Sequence, residues 1–387
     1  MGIPGLLPFL SSVVKKKNLS QFSGIRVAID GFVWLHAAAY SCSKELYSNP
    51  KTKRILPYCM KRISNMRNVG ITPIIIFDGQ YLNAKANVNM SRSAHRQAAI
   101  ETVTSNPDSP DSVYMQAVSI TFDTVQTLIQ ALRSENIEYI VAPYEADAQL
   151  AYLAQIGYVD AVCTIDSDLI PYLTPLIFYK LDDQNNVDVI ELKDVLSSLK
   201  LTPHLLQIMC ILAGCDYTPK VGQLGINTAF SLVKNHGLNA LIEAHKNPRL
   251  VFPPNYDTFF SNALLLFNHQ TVYDPNAQCI TSLHYIENPP SFLGTFIPTE
   301  FIIPFVTGQV DPNHYLQNTN SQNQNINSQD QNINSQNQNI NSQNQNIHLQ
   351  NQNVFSQNIP YIFEMNNSNN ETNQGSIYLN LKFFKKD

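Results

Sequence analysis

The chain has 387 residues, 44% of them apolar, which is enough to bury one large core or two small ones. No stretch reaches the roughly 20 consecutive apolar residues of a membrane-spanning helix, and the amino terminus lacks the basic-then-apolar layout of a secretory signal, so a soluble, intracellular protein with no membrane partner is expected. The formal charge of −5 is unevenly spread: residues 1–100 carry 14 Lys or Arg against only Asp30, Glu45 and Asp78, a balance of +11 that leaves −16 for the rest. A basic surface from the first hundred residues, with acids concentrated elsewhere, suits a phosphate-binding enzyme with a carboxylate metal site.

Taken in chain order, Val27-Ala28-Ile29 is the first apolar run of strand character, and it ends on Asp30. Ile55 to Asn68 has a helical pattern, and Ile74-Ile75-Ile76-Phe77 is a second buried strand that ends on Asp78. Lys85, Arg92 and Arg96 follow; at about 100° per residue, spacings of seven and eleven return to within about 20° of the start, which predicts one basic helix face. A helix over Thr121 to Ser134 precedes the strand Tyr139-Ile140-Val141, with Glu145 and Asp147 just beyond, and Ala146 to Gln155 is helical again. The strand Ala161 to Ile165 runs into Asp166 and Asp168. A helical region then extends from Thr202 to about Phe267, with Asp216 in Gly214-Cys215-Asp216-Tyr217 at the end of an apolar helix. Strands alternating with helices predict an α/β domain around a largely parallel central sheet flanked by helices.

Near Asp311 the composition turns to Asn and Gln, with a seven-residue repeat that places Ile326, Ile333, Ile340 and Ile347 one heptad apart. A coiled-coil seam needs two apolar positions per heptad and this repeat offers one, so residues 316–387 are expected to be a disordered tail. The six cysteines show no C-x-x-C pair or zinc-ligand spacing, and reduced, mostly buried thiols are expected.

In an open parallel sheet the carboxyl ends of the strands share one edge, so Asp30, Asp78, Glu145, Asp147, Asp166 and Asp168 should converge, with Asp216 as a seventh. Two like charges about 4 Å apart repel by about 4 kcal/mol at an effective dielectric of 20. No Lys or Arg partner is obvious in the adjacent motifs, whereas Mg²⁺ or Mn²⁺ is a hard cation suited to carboxylate and water ligands, and two such ions would serve phosphodiester hydrolysis. Any single acid after a strand is also a common helix cap or turn residue. The basic stripe reads as a solvated helix face or as a grip on the scissile phosphate.

These motifs resemble those of the XPG-type structure-specific 5′ nucleases. The similarity runs through Met1-Gly2-Ile3-Pro4-Gly5-Leu6-Leu7, Asp30, Trp34-Leu35-His36 and Phe77-Asp78-Gly79, and is closest at Ala142 to Leu153. That wording, with His269-Gln270-Thr271-Val272-Tyr273-Asp274-Pro275, resembles the exonuclease 1 branch over the first 315 or so residues. The resemblance implies a PIN-like 5′ nuclease core, two catalytic metal ions on the seven acids, and a helical arch in which Lys85 and Arg92 contact the phosphate, with Arg96 alongside. Lys85, Arg92, Asp78 and Asp168 are the expected catalytic residues, and Gly2, Phe32, His36 and Gly225 further DNA contacts. Asn89 and His95 depart from a usual acid and a usual base, and Phe32 replaces a tyrosine, keeping base stacking but losing the hydroxyl.

Tyr217 to Val233 resembles a helix–two-turn–helix element that grips duplex backbone with the help of K⁺. Its Gly-x-Gly is here Gln223-Leu224-Gly225 with a glycine displaced to Gly222, and the missing first glycine counts against the K⁺ site. Leu381-Lys382-Phe383-Phe384-Lys385-Lys386 is similar to the peptide by which the family docks a MutL-homologue mismatch-repair protein. The expected organisation is residues 1–100 and 101–200 as two nuclease regions, 201–315 as the helix–two-turn–helix part, and 316–387 as the tail. The implied protein is a nuclear, monomeric 5′-to-3′ exonuclease with flap activity, acting on duplex DNA with 5′ ends, nicks or flaps in mismatch repair, end resection and recombination. A dedicated flap or excision nuclease and a catalytically silent DNA-binding scaffold remain alternatives.

Overall fold

Seven strands build the central sheet: β1 Lys15–Asn18, β2 Arg26–Asp30, β3 Thr72–Phe77, β4 Glu138–Val141, β5 Ala161–Thr164, β6 Leu176–Tyr179 and β7 Asn186–Glu191, in the order β1-β7-β6-β5-β2-β3-β4. Neighbours from β6 through β5, β2 and β3 to β4 pair in parallel, and only β7 runs antiparallel to its neighbours. The computed structural model describes residues 2–314, the side chain of Asn87 excepted. The tail at 316–387 and the peptide Leu381 to Lys386 lie outside the described residues.

The four expected strands are present, and the helices expected at Ile55–Asn68, Thr121–Ser134 and Ala146–Gln155 run over Leu56–Asn68, Phe122–Ser134 and Ala146–Gln155. Central strands covered on both faces read as unbroken apolar runs, which is why they were legible: Val27, Ala28, Ile29 and Ile74 to Phe77 are all buried. The edge strand β1 is Lys-Lys-Lys-Asn and offers no such run; its lysines suit an edge that must not recruit another strand. The small β8–β9 hairpin, Thr271–Asp274 with Cys279–Ser282, was likewise not read from the sequence.

From β2 the chain steps outward to β3 and β4, then crosses back to place β5 on the other side of β2. This reversal puts the topological switch point between β2 and β5, where an open parallel sheet leaves a crevice at its carboxyl edge. Asp30 ends β2, and Asp166 follows β5.

The long helix Ala86–Ser105 buries none of its described side chains before Ala99, leaving even Met90 exposed. Ala99 and Val103 join Tyr114 and Ala117 of the helix Asp111–Ala117 in a small cluster apart from the main core. A helix that buries so little over its first three turns draws little stability from packing. Further on, the helices Pro203–Ala213 and Ile226–His236 pack together across the turn that carries Asp216 and Gly225. There the left-handed backbone position falls on Gln223 at φ 61°, not on Gly222 or Gly225. The turn thus keeps a conformation that glycine would adopt without strain, at a cost of about 1–2 kcal/mol for a residue with a Cβ. All six cysteines are free, five buried and Cys279 exposed. Among the described residues no single helix is long and apolar enough to cross a membrane.

Candidate active site

The acids that end or follow β2, β3 and β5 are carried to the carboxyl edge by the local structure that ends each strand. Asp30 is both the last residue of β2 and the cap of the helix Gly31–Tyr40: its Oδ1 accepts from the Phe32 and Val33 amides at 3.1 and 3.2 Å. Its Oδ2 accepts from the Thr164 hydroxyl at 3.2 Å, tying the ends of β2 and β5 together across the switch point. Asp78 Oδ1 accepts from the Ala146 amide at 2.7 Å, which draws the end of β3 onto the helix that carries Asp147. Asp166 caps the short turn Ser167–Leu169 by accepting from the Asp168 amide at 3.0 Å. Capping and convergence therefore coexist in the same side chains.

The Asp147, Asp166 and Asp168 carboxylates each present an oxygen within 4.8 Å of the others, an all-oxygen set suited to a hard divalent cation. Asp168 is 1% exposed, and its Oδ1 is buried without a hydrogen-bond partner. An orphaned carboxylate oxygen in a three-acid cluster is what a metal ligand looks like before the ion is counted, so the residues fit such a group. Burial first, and then the charges of its neighbours, raise the pKa of Asp168 well above the carboxylate range, and the same causes raise Asp147. Asp30, 7% exposed, is pushed up to about 7 by burial and by the charge of Asp78. Asp78, crowded but still open to solvent at the mouth, is pushed up to about 6, with desolvation the larger cause.

Two cations enter this acidic edge, partners that the motifs adjacent to the acids did not offer. Lys85 Nζ lies 2.9 Å from Glu145 Oε2 and 3.7 Å from Asp216 Oδ2, and its side chain is 12% exposed. Burial alone would lower its pKa, but Glu145, Asp147, Asp168 and Asp216 outweigh it and hold the ammonium well above its ordinary value. Arg92 reaches Asp216 Oδ2 at 3.3 Å from a half-exposed position. The adjacent-motif search missed these partners because they lie seven and more residues away from any acid in sequence and arrive by tertiary packing.

The expected single helix face for Lys85, Arg92 and Arg96 needs correction. Lys85 belongs to the turn Asn83–Lys85 and precedes the helix Ala86–Ser105, which carries Arg92 and Arg96, yet Lys85 and Arg92 meet at the same Asp216 oxygen. Arg96 and Arg92 act on His36, whose pKa is lowered by the protein packed about it and by those two charges, although the ring itself is exposed. Phe32, half-buried, lies 6.4 Å from His36 between ring centroids. Gly2, at φ 88°, passes so close to the Asp166 carboxylate and the Ser167 hydroxyl that an added Cβ would collide with both, and the next amide, of Ile3, donates to Ser167 Oγ at 2.8 Å. Gly225 is exposed and caps the helix Ile226–His236.

Tyr217 is a site residue that sequence reasoning missed. Its hydroxyl lies 2.6 Å from Glu145 Oε2 and its ring centroid 5.4 Å from Lys85 Nζ. Its position next to Asp216 was the only available signal.

An α/β core with acids gathered at the switch point and a polar, cation-bearing helix beside them is the architecture of a carboxylate-site nuclease. Residues 1–99 match the XPG N-terminal domain and residues 136–216 the XPG I-region. Exonuclease 1 of Arabidopsis thaliana is 37% identical over 327 positions, covering 81% of this chain and 44% of that protein. The DNA damage-inducible protein DIN7 of Saccharomyces cerevisiae is 31% identical over 303 positions, covering 74% of this chain and 70% of that protein. The chain belongs to the XPG family of nucleases, in its exonuclease 1 branch. Flap endonuclease-1 from Methanococcus jannaschii shares the fold, with a TM-score of 0.50 at 21% identity over 79% of this chain and 91% of that one. The chain spans 44%, 39% and 57% of the lengths of the exonuclease 1 relatives from Arabidopsis thaliana, Oryza sativa and Schizosaccharomyces pombe.

Proposed function

We propose that this chain is a divalent-metal-dependent 5′ nuclease that hydrolyses phosphodiesters from the 5′ end of a duplex DNA strand and also cuts 5′ flaps. The observation that carries the reading is the meeting of Asp147, Asp166 and Asp168 within 4.8 Å at the carboxyl edge of the sheet, around a buried oxygen that lacks a partner. In this reading Asp147, Asp166, Asp168, Asp30, Asp78, Glu145 and Asp216 hold two Mg²⁺ or Mn²⁺ ions. Bound there, divalent cations supply charge neutralisation and an acidified water for attack on phosphorus.

The chain's own residues do the remainder. Lys85 and Arg92, now shared with Glu145 and Asp216, turn toward the scissile phosphate and offset its developing charge. Arg96, His36 and Phe32 lie along the approach, where a cation steadies the backbone and a ring stacks on a base. Gly2 lets main chain run beside Asp166 where a side chain would block it. Gly225, in a turn whose left-handed shape Gln223 preserves, offers main-chain amides to the duplex backbone. The weakly packed start of the Ala86–Ser105 helix can yield to admit a strand. A role in nuclear DNA repair is the natural use, and the name of the yeast relative, DNA damage-inducible, supports it.

The test compares Mg²⁺-dependent release of nucleotides from a blunt or recessed duplex with cleavage of a double flap, with Asp168→Ala as control. The expected result is product from the duplex end that requires metal and vanishes in the variant. Equal product from both proteins, or none from either, defeats the assignment; strong preference for the double flap moves it to a dedicated flap endonuclease.

A further inference from the structure

Behind Glu145 stands a buried row of polar groups that the metal and phosphate contacts do not use. Tyr217 OH lies 2.6 Å from Glu145 Oε2, Tyr172 OH lies 2.6 Å from Tyr217 OH, and Gln270 Oε1 lies 2.6 Å from Tyr172 OH. Tyr172 and Gln270 are fully or almost fully buried, and both tyrosine rings pack edge-on against Phe267.

Three contacts of hydrogen-bond length need three protons, and two hydroxyls supply two. If Tyr172 donates to Gln270 Oε1, one proton must serve both the Tyr172–Tyr217 and the Tyr217–Glu145 contacts. At the same time Gln270 Nε2 is buried with no partner. Turning the Gln270 amide by 180° removes both difficulties: Nε2 becomes the third donor, and the buried position receives an acceptor, which is the less costly group to leave unpaired.

We propose that Gln270, Tyr172 and Tyr217 form a one-way hydrogen-bond chain, Gln270 Nε2 to Tyr172 to Tyr217 to Glu145, that holds the Glu145 carboxyl group in a set orientation facing the metal site. Tyr217 is then a positioning residue: it fixes Oε2 of Glu145, the oxygen that Lys85 also contacts, and so sets the orientation in which the carboxyl group meets a divalent cation. Bonds in such a chain polarise one another, so the effect on Glu145 declines with each step away from it. The proposal rests on the metal reading above.

The experiment measures Mn²⁺ affinity of the full chain by electron paramagnetic resonance, with melting in EDTA as a check on folding. Tyr217→Phe should weaken Mn²⁺ binding about tenfold or more, the usual loss when a hydrogen-bond partner of a metal ligand is removed. Tyr172→Phe should weaken it less, and Gln270→Met least. In a Glu145→Met background, which leaves no acceptor at this position, Tyr217→Phe should cost no more than about twofold. A hydroxyl with a purely structural role would lower the melting temperature and leave Mn²⁺ affinity unchanged, and that outcome overturns the proposal. So does a Gln270→Met loss as large as that of Tyr217→Phe, or larger than that of Tyr172→Phe; the second comparison decides the matter if Tyr217→Phe does not fold. A parent protein that binds no Mn²⁺ overturns the metal reading itself, whereas a parent that binds with all three variants unaffected overturns this proposal alone.

Discussion

Asp168→Asn keeps the shape of the side chain and removes its charge, and it should make the metal-free protein more stable while abolishing nuclease activity. The Asp147, Asp166 and Asp168 oxygens lie within 4.8 Å of one another. At an effective dielectric of 20, one ionised pair at that distance repels by about 3.5 kcal/mol, and Asn at 168 deletes two such pairs. Burial and these like charges raise the pKa of Asp168, so proton uptake relieves part of the repulsion, and Asn also gives up the attraction of Lys85; the measurable gain is the remainder, on the order of 1–3 kcal/mol. The assay is urea denaturation of parent and variant at pH 8, once in EDTA and once in millimolar Mg²⁺. In EDTA the variant should outlast the parent; in Mg²⁺ the order should reverse, because only the parent gains the free energy of binding the ion. A variant less stable than the parent in EDTA would refute the reasoning, since it would mean that Asp168 is held by interactions worth more than the repulsion it suffers.

Three further outcomes follow from the same geometry. Asp30 and Asp78 have folded pKa values of about 7 and about 6 against an ordinary 3.8, so between those limits the folded state binds more protons than the unfolded one. Stability of the metal-free protein should therefore be greatest below about pH 4 in this contribution and decline as pH rises through 7, with buried Asp30 carrying most of the change because solvent screens exposed Asp78, and saturating Mg²⁺ should flatten the decline; melting in EDTA at pH 5 and 8 checks the sign. Lys85→Met should lower kcat by roughly a hundredfold or more, as loss of one charge-stabilising donor does, yet leave Mn²⁺ affinity unchanged or tighter, because a competing ammonium has left Glu145 and Asp216; weaker Mn²⁺ binding would contradict the arrangement. Gln223→Gly should stabilise the fold by up to about 1 kcal/mol in urea, the relief of a left-handed backbone less the extra freedom of the unfolded chain, and a loss would show that the Gln223 side chain contributes where the backbone argument does not.

The sequence by itself determined the layered fold and the identity of the acids. Buried parallel strands must be continuously apolar, so Val27 to Ile29 and Ile74 to Phe77 declared themselves, and an acid where such a run stops is placed at the sheet edge by the backbone alone. The edge strand Lys15–Asn18 stayed hidden because an edge needs charge to deter pairing and so carries no apolar signature. Tertiary structure alone decided what meets what. The turn Asn83–Lys85 delivers Lys85 to Glu145, 60 positions away, and the Tyr217, Tyr172 and Gln270 hydrogen-bonding groups line up from three separate segments. Periodicity describes neighbours within one helix or strand, and it carries no information about contacts closed by packing between them; those contacts set the charge balance of the acidic edge, and with it the protonation of its acids.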